Sequence, residues 1–578
     1  MSSTKMISKF GVAFAAGALL FAGSATAQSN ADRKVLLKKF LDASDKIPTR
    51  HKKLISSGMQ NFLHYAAAVN STHSKIGYDG GTFIVPGRKA SVAVPSANPL
   101  VVANAAGPGG TVLVSNPALD FIGSVVTGFT QSETSSAWCG RTIVAGYNDS
   151  GAFLRTAGVN PFGAASFNGV SFSADGGKSF VDLGFLNPGT DPANFLIGDP
   201  TIGYSSSSRF YYSSIFATAT PPDANGDRNP LSAVAVNSSS SGGATWGDPV
   251  AAVAKDGFAH SLDKPWHAVD PTNPMRLYVT YTDFDFSFPA TGTCANDFRI
   301  AIELVASADG GNTWGAPVVI DEECGASFNG VQGSNVVVSP GGKVYVAYEF
   351  IPGLVPNNNI YFTRSVDNGK TFSKPINVSE VVPNGDGGTL MGGFRNNEFP
   401  QLAVDRSNGA SRGTIYIAWS DGKDNVIPDL ATFTGTYAFP DVFVAKSTDR
   451  GESFSTPNAV SPTPANFTGV GRDQFFPGIA VDGDGRVGVC YYDRRNDPGN
   501  TIIDRFCSVS HNHGASWNEQ RVSNSDWLPL HASDAVINLF YIGDYDALTS
   551  DFLLRNDGFF GTFEIQNNGN PDVVGKKF

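Results

Sequence analysis

The chain has 578 residues, with 41 Lys and Arg against 52 Asp and Glu, a net charge of −11. That acidic balance argues against nucleic acid or an anionic membrane surface as a general partner. Only 16% of residues are charged, while Gly numbers 64 and Phe 42; this suits a β-rich exported protein.

The chain opens on a targeting signal. Lys5 and Lys9 precede an apolar stretch at 10–22, and Ala25-Thr-Ala27 completes a cleavage site. Residues 1–27 are therefore expected to be removed, which takes two lysines and leaves a mature charge of −13. The apolar stretch is too short to span a bilayer and no later run reaches that length, so no transmembrane segment is expected. A bacterial-type exported protein follows, periplasmic or released. Residues 28–75 carry two short basic patterns of helical period, at 34–41 and 54–69, separated by Pro48. Residues 76–130 are rich in Gly, Pro and Ala and read as a linker or extension.

From residue 131 to 578 one grammar repeats. A short strand is followed by a hydrophobic one, as in Gly413-Thr-Ile-Tyr-Ile-Ala-Trp-Ser-Asp421, then a variable loop and a third strand. An eight-residue motif then turns into a fourth. Its clearest copies begin at Ser173, Ser307, Ser365 and Ser447, with Asp175, Asp309, Asp367 and Asp449 in third place. Two degenerate copies carry Ser241 and Asn512 there, and the starts lie 58 to 82 residues apart. Asp in a tight turn accepts backbone N–H bonds, Gly supplies positive φ, and the closing Trp or Phe packs between sheets. The motif is thus a hairpin staple. Its tolerance of Ser and Asn fits a structural role.

Four antiparallel strands per unit make a blade of a β-propeller. Seven pairs of first and second strands are counted, beginning near Glu133, Asp199, Lys264, Ser334, Glu398, Gln474 and Asp544. The last unit stops after three strands, so an N-terminal strand at 110–115 is expected to close the ring and remove a free edge. Seven blades are favoured, with six as the alternative.

The repeated element resembles the Asp box of the sialidase superfamily, over roughly residues 130–578. That resemblance implies a propeller and a glycan substrate met at the propeller mouth. Six blades would be the usual sialidase number. The loops entering each first strand and ending each second strand converge there. They carry Glu133, Asp199, Asp263, Glu398, Asp473 and Asp544 at the entries, and Asp149, Asp283, Asp285, Glu349, Asp421 and Asp493 at the exits. Paired carboxyls are what glycoside hydrolysis requires. Trp266, Tyr492 and Tyr545 offer ring faces or a nucleophilic hydroxyl.

Phe394-Arg395-Asn-Asn-Glu398-Phe-Pro400 and Gly471-Arg472-Asp-Gln-Phe-Phe-Pro477 match each other, placing Arg395 and Arg472 at equivalent points of adjacent blades. The resemblance implies three arginines on a sugar carboxylate, here Arg395, Arg472 and Arg494 or Arg495. It also implies a Tyr activated by a Glu, drawn from Tyr545 or Tyr492 with Glu398 or Glu133. The Phe/Tyr-Arg-Ile-Pro segment of the family does not occur in this chain. A non-catalytic glycan- or protein-binding propeller and a polysaccharide lyase are the other readings.

Five cysteines in an oxidising compartment are expected to pair. Cys490 with Cys507 lies across one hairpin, and Cys294 with Cys324 flanks the outer strands of another unit; Cys139 is left over. Asp223-Ala-Asn225-Gly-Asp227 begins like a calcium loop but lacks its later Gly and Glu, and no zinc pattern occurs. No cofactor is implied.

Overall fold

In a computed structural model the described residues run from 106 to 578 apart from short stretches, the longest 461–470, with four strands between 77 and 103. The expected signal segment at 1–27, the basic segment at 28–75, and residues 225–227 of the calcium-like loop lie outside them.

Seven sheets follow in chain order, antiparallel except where the short strand Ala165–Ser166 pairs parallel to Phe195–Tyr204 at the edge of the second. Blade 1 comprises Gln131–Cys139, Thr142–Asp149, Asn168–Ser173 and Phe180–Asp182, with Val101–Ala103 added at its outer edge. The first two strands of the next five blades are Phe195–Tyr204 and Phe210–Ala219, His260–Val269 and Leu277–Asp285, Gly330–Val338 and Val344–Ile351, Gln401–Val404 and Ile415–Asp421, and Gln474–Val481 and Val487–Asp493. Blade 7 has Leu548–Ser550, Phe559–Asn567 and Asn570–Lys577, and its fourth strand is Val112–Leu113. Leu113 pairs with Val574 and Val112 with Gly575. A strand that precedes blade 1 and the last three strands therefore build one blade. The ring has seven blades, and six is ruled out.

The eight-residue motif occupies the turn between third and fourth strands. In its first copy Asp175 accepts the N–H groups of Lys178 and Ser179 and the Ser179 hydroxyl, while Ser173 Oγ accepts the Gly177 N–H. Asp309, Asp367 and Asp449 repeat the pattern. Ser241 and Asn512 still accept one N–H each, from Thr245 and Ser516. The motif's Phe454 meets Phe362 of the preceding blade edge-on at 5.0 Å. A Cβ on Gly451 would lie 2.3 Å from that same ring, so this close approach needs glycine as well as its positive φ.

A second repeat lies on the inner strands, and it positions the site. In blades 1, 2, 3, 4 and 6 two residues of the first strand face one of the second: Glu133-Thr134, Asp199-Pro200, Lys264-Pro265, Gly333-Ser334 and Phe476-Pro477. The first residue of each pair has positive φ, between 48° and 68°. These are β-bulges, which break the alternation of the pleat and re-aim a side chain. Proline follows three of them, where no ladder partner is required of its missing N–H. In four of the five the opposing residue is a tyrosine: Tyr147, Tyr281, Tyr348 or Tyr491.

One helix, Ser150–Val159, enters between the second and third strands of blade 1. Asp149 accepts the Ala152 N–H there, as an N-cap does. The sequence grammar reads this stretch as a loop. Disulfides join Cys294 to Cys324 and Cys490 to Cys507, and Cys139 is free and buried.

Candidate functional site

The bulge residues of blades 1, 2 and 3 meet on the channel axis. Lys264 Nζ lies 3.1 Å from Asp199 Oδ2 and 3.6 Å from Glu133 Oε1. Asp544, entering blade 7, comes within 2.5 Å of the same ammonium. Arg395, from the loop entering blade 5, reaches Asp544 through Nη2. Five units of the ring thus contribute to one cluster of three acids and two bases.

Its supports are specific. Asn148 donates to Glu133 Oε2 at 2.9 Å and accepts the Asp199 N–H at 3.0 Å. Asn397 donates to the Asp544 carbonyl at 3.0 Å. The Tyr545 hydroxyl donates to the Pro200 carbonyl at 2.9 Å. The Tyr545 ring lies under Lys264 at 5.3 Å and meets Trp266 edge-on at 5.4 Å. Lys264, Trp266, Asn335, Phe399, Gln401 and Tyr545 are among the residues that line a small recess beside the cluster, of about 10 Å³, roughly the space one water takes.

Burial and neighbours drive the acids apart. Burial pushes Glu133 up to about 8; Lys264 opposes this, and Asp199 and Asp544 add to it. Asp199 is likewise raised by burial, against the pull of Lys264, to about 6. Burial also acts on Asp544, but Arg395 and Lys264 together outweigh it and hold that carboxyl down at about 2. Lys264 is disfavoured by burial, and its three carboxylates still keep it well above the ordinary lysine range. At neutral pH the cluster therefore contains a protonated acid and an ionised one on either side of a single ammonium.

Of the residues singled out in the sequence, Glu133, Asp199, Asp544, Arg395, Tyr545 and Trp266 come together here. Arg472 does not: its Nε donates to the Asp497 carbonyl and its Nη1 to that of Gly471. Arg494 is buried against Asp473 at 2.7 Å, and Arg495 pairs with Asp493 and Glu519. The three arginines expected on one carboxylate thus have three separate protein partners. Asp493 also accepts from Gln474 at 3.0 Å. Glu398 lies at the mouth, but its partners are Asn384 and Asn358. The Tyr492 hydroxyl is buried on the backbone of Glu564, and burial raises it well above the usual tyrosine range.

Sequence reasoning missed Lys264 as a site residue. The signal was present: Asp199-Pro200, Lys264-Pro265, Phe399-Pro400 and Phe476-Pro477 recur at the starts of four first strands. Among the described residues no group of three or more His, Cys, Asp or Glu is placed to hold a metal ion. No helix among them is long and apolar enough to cross a membrane.

No family model and no curated protein matches the sequence. Solved structures similar to it include a Hadza microbial sialidase, at 12% identity over 71% of this chain and 73% of that one, with a TM-score of 0.38. A Penicillium chrysogenum α-L-arabinanase solved with arabinobiose is 13% identical over 69% and 97%, with a TM-score of 0.41. A Trypanosoma rangeli sialidase solved with sialic acid is 15% identical over 65% and 53%, with a TM-score of 0.35.

Proposed function

We propose that this protein is an exported glycan-acting propeller that cleaves a glycosidic bond at the mouth of its central channel. The observation that carries the reading is the split pair: Glu133 held protonated near 8 and Asp544 held ionised near 2, both on Lys264. Glycoside hydrolysis needs one carboxylic acid to protonate the leaving oxygen and one carboxylate to attack, or to activate water. Glu133 takes the first role and Asp544 the second. When Glu133 gives up its proton, Lys264 neutralises the new carboxylate, and Asn148 holds it in place. Trp266, partly exposed and backed by the buried Tyr545, supplies a ring face to the sugar. The arginines are matched by protein carbonyls and carboxylates, so the substrate is a neutral glycan in preference to an acidic one.

The mature chain from residue 28 is to be assayed on a fluorogenic sialoside and a panel of neutral glycosides. Turnover of a neutral glycoside is expected, falling about 10²- to 10⁴-fold in Glu133→Gln, the range of a general acid's contribution. Wild-type rates in Glu133→Gln and Asp544→Asn would sink the assignment. A second reading, a glycan-binding propeller without turnover, is favoured by one observation. Glu133 is wholly covered and Asp544 is 2% exposed. Retention of intact glycan with no product released would select it.

A further inference from the structure

Glu349 lies two residues before the end of the second strand of blade 4 and Glu398 enters blade 5, and each acts on the other's carboxyl. Both are buried, at 2% and 4% exposure. One amide serves both: Asn358 Nδ2 donates to Glu349 Oε1 at 2.6 Å and to Glu398 Oε2 at 3.2 Å. The other oxygen of Glu398 accepts the Asn384 N–H at 2.8 Å. Among the described residues no Lys or Arg forms an ion pair with either carboxyl. The nearby charged group from blade 5 is Asp421, another acid, already paired with Lys423 at 3.2 Å. Two carboxylates in such a place cannot both ionise.

The consequence lies in the segment that carries Glu398. Three residues back, Arg395 reaches Asp544, and one residue back, Asn397 holds the Asp544 carbonyl. Asn384, whose N–H is fixed by Glu398, also donates to the Asn397 carbonyl at 3.3 Å and to Ser420 Oγ at 2.9 Å. The two glutamates and the central cluster are thus two ends of one four-residue stretch.

We propose that Glu349 and Glu398 are positioning residues: they share one proton, and through residues 395–398 that shared proton keeps Arg395 and Asn397 seated on Asp544. As an account of turnover this rests on the hydrolase reading; as an account of the fold it does not. Burial, and for Glu349 the neighbouring Glu398, raises both acids, which agrees with the geometry.

A raised folded pKa means that the native chain keeps a proton the unfolded chain releases above the ordinary glutamate range, so stability falls as pH rises through that window. Glu349→Gln supplies a permanent N–H to Glu398 and removes the raised titration of Glu349 itself. The test is thermal melting of the mature chain from pH 5 to 9. Wild type should lose melting temperature with pH more steeply than Glu349→Gln, and the variant should melt higher at pH 9. Glu133 contributes the same slope to both and cancels. Glu398→Gln should behave likewise, and it stands in should the first variant fold poorly. Melting curves that shift in parallel with pH would overturn the proposal, whether or not the protein turns over a glycan. Where turnover is measurable, kcat should fall with rising pH more steeply in wild type, which loses both the Glu133 proton and the shared one, than in Glu349→Gln, which loses only the first, with KM unchanged. An equally steep fall in both proteins would leave the pair without a positioning role.

Discussion

Removing the lysine at the centre of the ring tests the whole cluster at once. Lys264→Met keeps the length and apolar stem of the side chain and deletes the ammonium that touches Glu133, Asp199 and Asp544. At an effective dielectric of about 20, a pair at the 3.1 Å seen for Asp199 is worth roughly 5 kcal/mol before desolvation. Breaking a buried pair by deleting one partner typically costs about 3–5 kcal/mol, because a charge is left without its partner. Asp544 keeps Arg395, so Asp199 and Glu133 carry most of the loss. Both can escape by taking up a proton. Lys264 now lowers them to about 6 and about 8, and without it both rise. The defect should therefore be close to the full ~3–5 kcal/mol at pH 8 and much smaller at pH 5. Denaturant unfolding of both proteins at the two pH values reads the difference, and Asp199→Asn added to Lys264→Met should recover part of the loss at pH 8. A variant within about 1 kcal/mol of wild type at pH 8, or a loss equal at both pH values, would refute the reasoning.

Three further outcomes are expected. Serine at Cys490 and Cys507 removes a link of sequence separation 17 and should cost about 3 kcal/mol, read as a lower melting point that reductant no longer shifts through this bond. Asp309→Asn should leave the melting point nearly unchanged, because Asn512 already fills the equivalent place, whereas Asp309→Ala should lower it; equal effects would dismiss the hairpin role of the carboxylate. Starting the chain at residue 116 deletes Val112–Leu113 and bares the edge of Asn570–Lys577, so association by light scattering should rise; an unchanged monomer would show that edge to be protected in some other way.

Much of the fold was legible because its signals are local. The eight-residue motif closes its own hydrogen bonds within four residues of Asp175, so it can be read without knowing its neighbours. Counting strand pairs gave seven units, and the missing fourth strand of the last unit pointed to the segment at 110–115 that holds Val112–Leu113. The placing of acids at strand ends was also readable. What those acids touch was not. Arg395 and Arg472 sit in matching seven-residue segments, yet one reaches Asp544 across the channel and the other turns onto the carbonyls of Gly471 beside it and of Asp497 in the next loop of its own blade.

The blade, the turn chemistry and the number of repeats are written in short stretches of the chain, since each depends on residues a few positions apart. Only the closed ring decided that Glu133, Asp199 and Lys264, some 65 residues apart along the chain, would meet Asp544 and Arg395 at one point. The physical reason is that a bulge aims each side chain inward, but the distance between aimed groups is set by blade number and closure. Those are properties of the whole ring and of no single segment within it.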